Sequence, residues 1–313
     1  MRGRLALSIM ITVIGEALVD IIVDARGEVT SVVGGGPLNT ARTVARLGVG
    51  SQFLGGVSTD PFGQRIMRLL DADGVNLGGA QVPEPTTLAI AQIDESGAAT
   101  YRFMLDGTSA AAVTPEMALS AIDPSARAIH AGTLALVMQP LSDALVAVVA
   151  AARDDQIVMI DPNCRPSVDR LALLRASLDA VVGRADIVKV SGDDLEYLFP
   201  GRPTIEAAQA LSVDTESLVL FTDGANAVHV IRGDADIVLD VPRVPVVDTV
   251  GAGDSFSGGF LAWWLHRGLG RADLADLDLV AEAAGFGIAV AGITCQRPGA
   301  EPPFAHEVEG GWA

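Results

Sequence analysis

Short apolar runs alternate along the chain with longer stretches in which Ala, Leu and Arg recur at helical spacing. The apolar runs predict buried strands at 9–14, 51–54, 128–130, 157–160, 187–190 and 218–221. The longer stretches predict helices near 38–47, 61–73, 139–153, 170–182, 204–212, 255–267 and 279–291. Strands that alternate with helices form βαβ units, so the pattern predicts an α/β fold with a mostly parallel sheet covered on both faces. Ligands of such a sheet bind at the carboxyl ends of its strands.

The first 14 residues fit two patterns. Two arginines before an apolar run from 5 to 14 are typical of a short signal peptide, whereas a buried strand over 9–14 explains the same run. We favour the strand, because 15–20 follows at once and offers no small-x-small cleavage site. The longest apolar run, 144–152, is far below the roughly 20 residues of a membrane span and predicts a buried helix. We therefore expect a cytoplasmic protein without a membrane partner.

Two segments interrupt the alternation of strands and helices. Residues 20–24 and 28–33 flank Arg26-Gly27, and residues 88–93 and 100–104 flank a turn at 95–97. Each pattern predicts an antiparallel hairpin with a glycine turn. The hairpins either pair as a small separate sheet that closes over a site or extend an edge of the main sheet, and the sequence leaves both arrangements open.

The charge balance excludes several functions. The chain has 313 residues, 39 acidic and 21 basic, and a formal net charge of -18, so nucleic acid is not an expected partner. Lys189 is the only lysine, and no glycine precedes it, which excludes a P-loop. The chain also lacks the other motifs of a protein kinase. Cys164 and Cys295 form neither a disulfide framework nor a metal-ligand spacing.

The segment 246–261 carries the clearest chemistry. An apolar strand leads into Gly251-Ala252-Gly253 and then into a predicted helix, so free backbone N–H groups and the positive end of the helix dipole can bind phosphate without a lysine. Asp254 lies at the edge of this anion site. It acts either as a base that takes a proton from an attacking hydroxyl or as a simple helix cap, and geometry alone favours neither.

A dehydrogenase is the alternative for a glycine-rich α/β chain. Its fingerprint is Gly-x-Gly-x-x-Gly after the first strand. Residues 34–39 have Asn at the third glycine position and residues 251–256 have Phe there. We therefore do not expect a nicotinamide-binding protein.

Two motifs resemble one known family. The segment Asp248-Thr249-Val250-Gly251-Ala252-Gly253-Asp254-Ser255-Phe256 is similar to the C-terminal signature of the ribokinase-like (PfkB) carbohydrate kinases, and 34–41, continuing to 55–63, is similar to the N-terminal signature. The resemblance extends from Gly15 to about residue 300. It implies a three-layer α/β/α fold with a small β lid, as one kinase domain over 1–313 with lid hairpins at about 17–33 and 86–105. It also implies ATP-dependent phosphorylation of a sugar hydroxyl, with Mg²⁺ on the nucleotide.

The resemblance assigns roles to individual residues. It makes Asp254 the catalytic base, with an anion hole formed by the N–H groups of Gly251, Ala252 and Gly253. The sugar-binding positions that it implies are Asp20, Gly35, Gly36, Asn39, Arg102 in the lid, and Arg165 in the segment Asp161-Pro162-Asn163-Cys164-Arg165. Asn39 also suits a helix cap, and Arg102 and Arg165 also suit a solvent-exposed surface.

The nucleotide side departs from the family pattern in two places. Residues 222–227 resemble the nucleotide loop through Thr222 and Gly224, but Ala227 replaces its second glycine. The family's Asn-x-x-Glu motif reads Ser191-Gly192-Asp193-Asp194, with Ser191 and Asn163 near the nucleotide and Asp194 expected to reach Mg²⁺ through water. Asp248 and the loop 297–300 resemble a monovalent-cation site, which would take K⁺.

The position after Gly34-Gly35 indicates the substrate. Family members that bind ribose or phosphosugars carry Lys there, whereas Gly36-Pro37 is closer to the fructokinases, so we expect a free sugar, with fructose first. 2-Keto-3-deoxygluconate is second, because Arg102 or Arg165 suits its carboxylate, and a nucleoside is third. A non-catalytic sugar- or nucleotide-binding module is the alternative class, although binding alone gains nothing from Asp254. The resemblance further suggests a homodimer through the lid, and we expect no catalytic role for Lys189.

Overall fold

The computed structural model describes residues 9–94, 99–168 and 170–308. Its strands are β1 Met10–Ile14, β2 Leu18–Val23, β3 Val29–Gly34, β4 Gly50–Leu54, β5 Gly56–Ser58, β6 Asn76–Leu77, β7 Ala80–Val82, β8 Leu88–Ile93, β9 Ala99–Met104, β10 Ala126–Gly132, β11 Ile157–Asp161, β12 Ile187–Ser191, β13 Leu218–Asp223, β14 Ala227–Arg232 and β15 Ala235–Asp240. Its α-helices are α1 Gly36–Arg46, α2 Pro61–Asp73, α3 Pro115–Ala121, α4 Leu141–Ala150, α5 Leu171–Val182, α6 Gly192–Leu198, α7 Thr204–Thr215, α8 Ala252–His266 and α9 Leu277–Thr294. Every strand and helix predicted from periodicity lies within or overlaps one of these elements.

Nine strands form the central sheet, in the order β15-β14-β13-β12-β11-β10-β1-β4-β6. The pairs from β13 to β6 are parallel, and β14 and β15 continue the sheet antiparallel. One face packs against α1, α2, α8 and α9, and the other against α3 to α7. Neighbouring residues of a strand point to opposite faces, which is why the inner strands are apolar throughout. The predicted three-layer α/β/α architecture is confirmed.

The two predicted hairpins pair with each other rather than with the central sheet. They form a four-stranded sheet in the order β3-β2-β8-β9, in which β2 and β8 are parallel neighbours. The turn predicted at 95–97 lies outside the described residues. The small sheet begins where β1 ends, because only three residues separate Ile14 from the start of β2.

Helix α9 is more apolar than the sequence pattern suggested. Its 18 residues have a mean hydropathy of 1.5, enough to span a membrane by length and composition alone. In the fold it packs along α8, and a Cβ on Gly259 would lie 3.2 Å from the Cα of Gly287. The close approach of two glycines lets the backbones of α8 and α9 meet, and the predicted anion site lies at the start of α8 in this pair.

Candidate active site

Four of the central strands deliver polar residues to one edge of the sheet. Glu16 follows β1, Thr133 follows β10, Asn163 follows β11, and Ser191 ends β12. Because these strands are parallel neighbours, their carboxyl ends meet at the same edge. The start of α8 adds Asp254 beside Thr133 and Asn163, so residues far apart in the sequence meet at this edge.

Asp254 lies in the first turn of α8 but does not cap the helix. The N-cap residue is Gly251, three residues earlier than the sequence indicated, and no side chain caps it. Instead, Asn39 Nδ2 donates a 2.9 Å hydrogen bond to Asp254 Oδ2. Burial raises the pKa of Asp254, while the Asn39 hydrogen bond and the charges of Lys189 and Arg165 oppose that rise. The carboxyl is therefore a stronger proton acceptor than an exposed aspartate.

The second oxygen of Asp254 points into a space beside Gly36. A Cβ on Gly36 would lie 3.0 Å from Asp254 Oδ1, 2.8 Å from Thr133 Oγ1 and 3.1 Å from Asn163 Nδ2. Asn163 Nδ2 donates to Thr133 Oγ1 at 3.2 Å. Three polar atoms thus converge on a position that is open only because residue 36 is glycine, and a substrate hydroxyl there would contact all three.

The predicted anion hole differs at one of its three residues. Gly251 has φ 77°, a left-handed conformation that suits glycine. The N–H of Ala252 donates to Thr249 O at 3.2 Å, whereas the N–H groups of Gly251 and Gly253 donate no hydrogen bond within the described part of the chain. Ala252 is therefore engaged internally, whereas the N–H groups of Gly251 and Gly253, like that of Asp254, donate no hydrogen bond within the described residues.

The C-terminal loop closes against this turn. A Cβ on Gly251 would lie 2.5 Å from the Cβ of Ala300. Asp248 accepts hydrogen bonds from Val250 N at 3.0 Å and from Gly299 N at 2.9 Å. Oδ1 therefore orders the loop of Asp248 itself, and Oδ2 connects this loop to the C-terminal loop, in the segment predicted to bind a monovalent cation.

Acidic side chains gather on the side of the site that is predicted to bind sugar. Burial raises the pKa of Glu16 to about 8 and that of Asp20 to about 6, and in both cases the charge of Arg165 opposes the rise. Neither oxygen of Glu16 has a hydrogen-bond partner within the described residues. Arg165 donates to Asn163 Oδ1 at 2.6 Å, so it connects the acidic group with the residues around Gly36.

Replacing Glu16 by Gln should stabilise the protein more at high pH than at low pH. The folded pKa of about 8 lies above the usual glutamate value of 4.5, so between these pH values the folded chain holds a proton that the unfolded chain loses. Stability therefore falls as the pH rises from 4.5 to 8, by an amount on the order of a few kcal/mol. Melting curves at pH 4.5 and 8.5 should show a higher Tm for Glu16→Gln at pH 8.5 and a small difference at pH 4.5.

The matched control is Glu282→Gln, because Glu282 is exposed on α9. Its melting temperature should follow that of the wild type at both pH values. A Glu16→Gln variant that is less stable than the wild type at pH 8.5 would contradict a protonated, unpartnered carboxyl at this position.

The residues predicted on the nucleotide side form a connected group. Ser191 and Thr222 are register partners on β12 and β13, and Gly224 makes the next turn with φ 53°. Asp194 Oδ2 accepts from Ser191 N at 2.8 Å and from Ser191 Oγ at 2.7 Å, and its Oδ1 accepts from Cys164 N at 2.6 Å. Asp194 Oδ2 thus closes a capping box with Ser191 at the start of α6, while Oδ1 is engaged by Cys164 N outside that box.

The described residues contain no cluster of three His, Cys, Asp or Glu side chains that could hold a metal ion. Asp194 is buried and already accepts three hydrogen bonds, so the Ser191–Asp194 motif does not fit a protein-bound Mg²⁺. Magnesium is therefore expected only as part of the MgATP substrate. The water-mediated role of Asp194 stays a prediction.

Some residues lie differently from the sequence expectation. Arg102 is exposed on β9 and lines a cleft with Phe103 and Arg170, and no described contact connects it to Asp254. Glu16 and Thr133 belong to the pocket but were not predicted. They come two and three residues after the predicted strands 9–14 and 128–130, and that position was the signal that could have found them.

Comparison with known proteins gives the family. The model of the pfkB family carbohydrate kinases matches residues 8–307. A fructokinase of Rhizobium leguminosarum bv. trifolii is 31% identical over 261 residues, which cover 81% of this chain and 79% of that protein. The crystal structure of fructokinase with bound ATP from Xylella fastidiosa has a TM-score of 0.84 at 26% identity, covering 96% of this chain and 97% of that one.

A second solved structure is similar over nearly the same length. The Vibrio cholerae fructokinase double mutant with fructose, ADP and potassium ion bound has a TM-score of 0.83 at 25% identity, and the match covers 98% of this chain and 99% of that one. These likenesses confirm the predicted ribokinase-like fold. Because the family match covers almost the entire chain, the protein belongs to the pfkB family of carbohydrate kinases and is a sugar phosphotransferase.

Proposed function

We propose that the protein is an ATP-dependent fructokinase in which Asp254 is the general base. The observation that carries the proposal is the position of Asp254 Oδ1. It faces the open space beside Gly36, next to the free N–H groups of Gly251 and Gly253. A base there reaches the acceptor hydroxyl, and donors there reach the phosphate that the hydroxyl attacks.

The reaction follows from these positions. Asp254 Oδ1 takes the proton of the sugar hydroxyl. The oxygen of that hydroxyl then forms the new bond to the γ-phosphorus of ATP. The bond from the γ-phosphorus to the β,γ-bridging oxygen breaks, and its electron pair stays on ADP. Asp254 later releases its proton to solvent. The N–H groups of Gly251 and Gly253 balance the phosphate charge, Ala252 supports the turn, and Mg²⁺ would enter only as part of the MgATP substrate.

The remaining assignments are part of the same proposal. The sugar side consists of Asp20, Gly35, Gly36, Asn39 and Arg165, with Arg102 approaching from the lid. The nucleotide side consists of Asn163, Ser191, Thr222 and Gly224. The chain acts as one domain, 1–313, with lid hairpins at about 17–33 and 86–105. K⁺ binding near Asp248, a homodimer through the lid and a cytoplasmic location stay predictions.

The choice of fructose rests on the absence of a lysine at residue 36 and on the similarity to known fructokinases. No lysine is available to bind a phosphate on the sugar, since Lys189 is buried in the sheet. Curated relatives at about 30% identity are fructokinases, and one solved relative holds fructose. The position of Arg165 beside Asp20 and Glu16 favours one other candidate, 2-keto-3-deoxygluconate, because a guanidinium can bind its carboxylate.

A coupled ADP-release assay with MgATP and a panel of acceptors tests the proposal. We expect the highest kcat/KM with fructose among fructose, ribose, glucose, 2-keto-3-deoxygluconate and a nucleoside. A higher kcat/KM with 2-keto-3-deoxygluconate would make the keto acid the substrate, bound through Arg165. Turnover with none of them, together with measurable ADP binding, would favour the non-catalytic binding module.

A further inference from the structure

The only lysine of the chain lies inside the protein, directly behind the start of α8. Lys189 Nζ is 3.1 Å from Asp161 Oδ2, and both side chains are at most 5% exposed. On its other side, a Cβ on Gly253 would lie 2.9 Å from Nζ. The ammonium therefore lies against the first turn of α8 at Gly253, a residue whose N–H donates no hydrogen bond within the described residues.

Negative charges surround this ammonium. Asp161, Asp194 and Asp254 all favour its charged form, and they keep the pKa of Lys189 above its usual value although burial opposes this. His130 is neutral, because burial and Lys189 lower its pKa to about 3. The other charged groups that act on Asp254 or are acted on by it are Arg165, Glu16 and Asp161.

Stability alone does not explain the buried pair. Removing two charges from water costs as much as their attraction returns, and an apolar pair of the same size is often equally stable. Asp161 Oδ1 is buried without a hydrogen-bond partner within the described residues, so the pair is not fully satisfied. A fixed charge in a dry site is, however, well suited to stabilise a negative charge that develops nearby.

We propose that Lys189 is a positioning residue for phosphoryl transfer, whose ammonium, aligned by Asp161, supports the anion hole from behind Gly253. It acts through the first turn of α8 and through Asp254 and does not touch the sugar. Its positive charge favours the ionised, proton-accepting form of Asp254 and strengthens the field at the N–H groups of Gly251 and Gly253. The inference rests on the proposed roles of Asp254 and the anion hole.

The test compares Lys189→Met with the double variant Lys189→Met/Asp161→Asn. Each is assayed for kcat, for the KM of fructose, for ADP binding and for the pH dependence of kcat/KM. We expect both to lower kcat about 100-fold, with less than threefold changes in KM and in the Kd of ADP. The acid limb of the pH profile should move to higher pH, because losing the ammonium raises the pKa of Asp254.

The double variant separates this role from a structural one. If Lys189 only neutralised Asp161, removing both charges would restore wild-type kcat and leave the pH profile in place, and either result would overturn the proposal. An Asp254→Asn variant with full turnover would instead overturn the proposed function. The two failures can be told apart, because the Asp254→Asn result tests the base, whereas the effect of Lys189 is still measured by comparing its single and double variants.

A second measurement needs no substitution. Since Lys189 is the only lysine, labelling with lysine enriched in ¹³C at Cε gives a single lysine side-chain signal in NMR spectra of the whole protein. We expect this signal to shift when ADP and fructose are added. A signal that stays unchanged on saturation with both ligands would overturn the proposal even if the variants do not fold.

Discussion

Replacing Asp254 by Asn is expected to lower kcat by about 10³-fold and to leave the KM for sugar within a few-fold of the wild type. The loss follows because general-base catalysis contributes about 10²–10⁴-fold and an amide cannot accept the proton. The amide is nearly isosteric, and its oxygen can still accept the hydrogen bond that Asn39 donates to Oδ2 in the wild type. Steady-state kinetics of ADP release with saturating MgATP measures the effect.

The matched control for this variant is Asp193→Asn, the same substitution at an exposed residue of α6. Its kcat should equal that of the wild type. The wild-type kcat/KM should also fall as the pH drops below the raised pKa of Asp254, and the residual activity of Asp254→Asn should lack this acid limb. An Asp254→Asn enzyme with full turnover and an unchanged pH profile would contradict the assignment.

Replacing Gly36 by Ala is expected to lower kcat/KM on the order of 100-fold, which corresponds to about 3 kcal/mol. The added methyl group would occupy the point at which Asp254 Oδ1, Thr133 Oγ1 and Asn163 Nδ2 converge, at 2.8–3.1 Å from each atom. A sugar hydroxyl needs the same space, so most of the effect should appear in KM. Acceptor titrations with wild type and variant would measure it.

Gly285→Ala provides the control, since Gly285 is exposed on α9 and a Cβ there meets no atom within 4 Å. It should leave the kinetics unchanged and slightly raise the melting temperature, because alanine favours a helix. A Gly36→Ala enzyme with wild-type KM and kcat would show that the acceptor binds elsewhere.

The fold was predictable because its signals are local. Buried parallel strands such as β11 and β12 are almost entirely apolar. Helices such as α1 and α8 follow glycine-rich turns that are recognisable in the sequence. The position of Asp254 was predictable for the same reason, since strand, turn and helix are consecutive. The exact start of α8 was not, because Gly251 caps it through a left-handed backbone rather than through a side chain.

The rest of the site depends on contacts that the sequence does not encode locally. Lys189 and Asp161 are 28 residues apart on neighbouring strands, and only the sheet order makes them an ion pair. Thr133 belongs to no motif and enters the pocket because β10 lies between β1 and β11. The hairpins were recognisable, yet their mutual pairing depends on β2 and β8, whose register partners are 69 residues apart in the sequence.

The loop around Ala300 also determines when the protein can become active during synthesis. Arg42 of α1 donates to Ala300 O at 2.8 Å and to Glu301 at 3.0 Å, and Ala300 packs against Gly251. The turn that we propose holds phosphate thus depends on contacts with α1 and with the loop around Ala300. A nascent chain from which residue 301 has not yet emerged would contain Asp254 and the two hairpins, yet it would lack these contacts. Phosphorylation should therefore begin only after residue 301 has emerged from the ribosome.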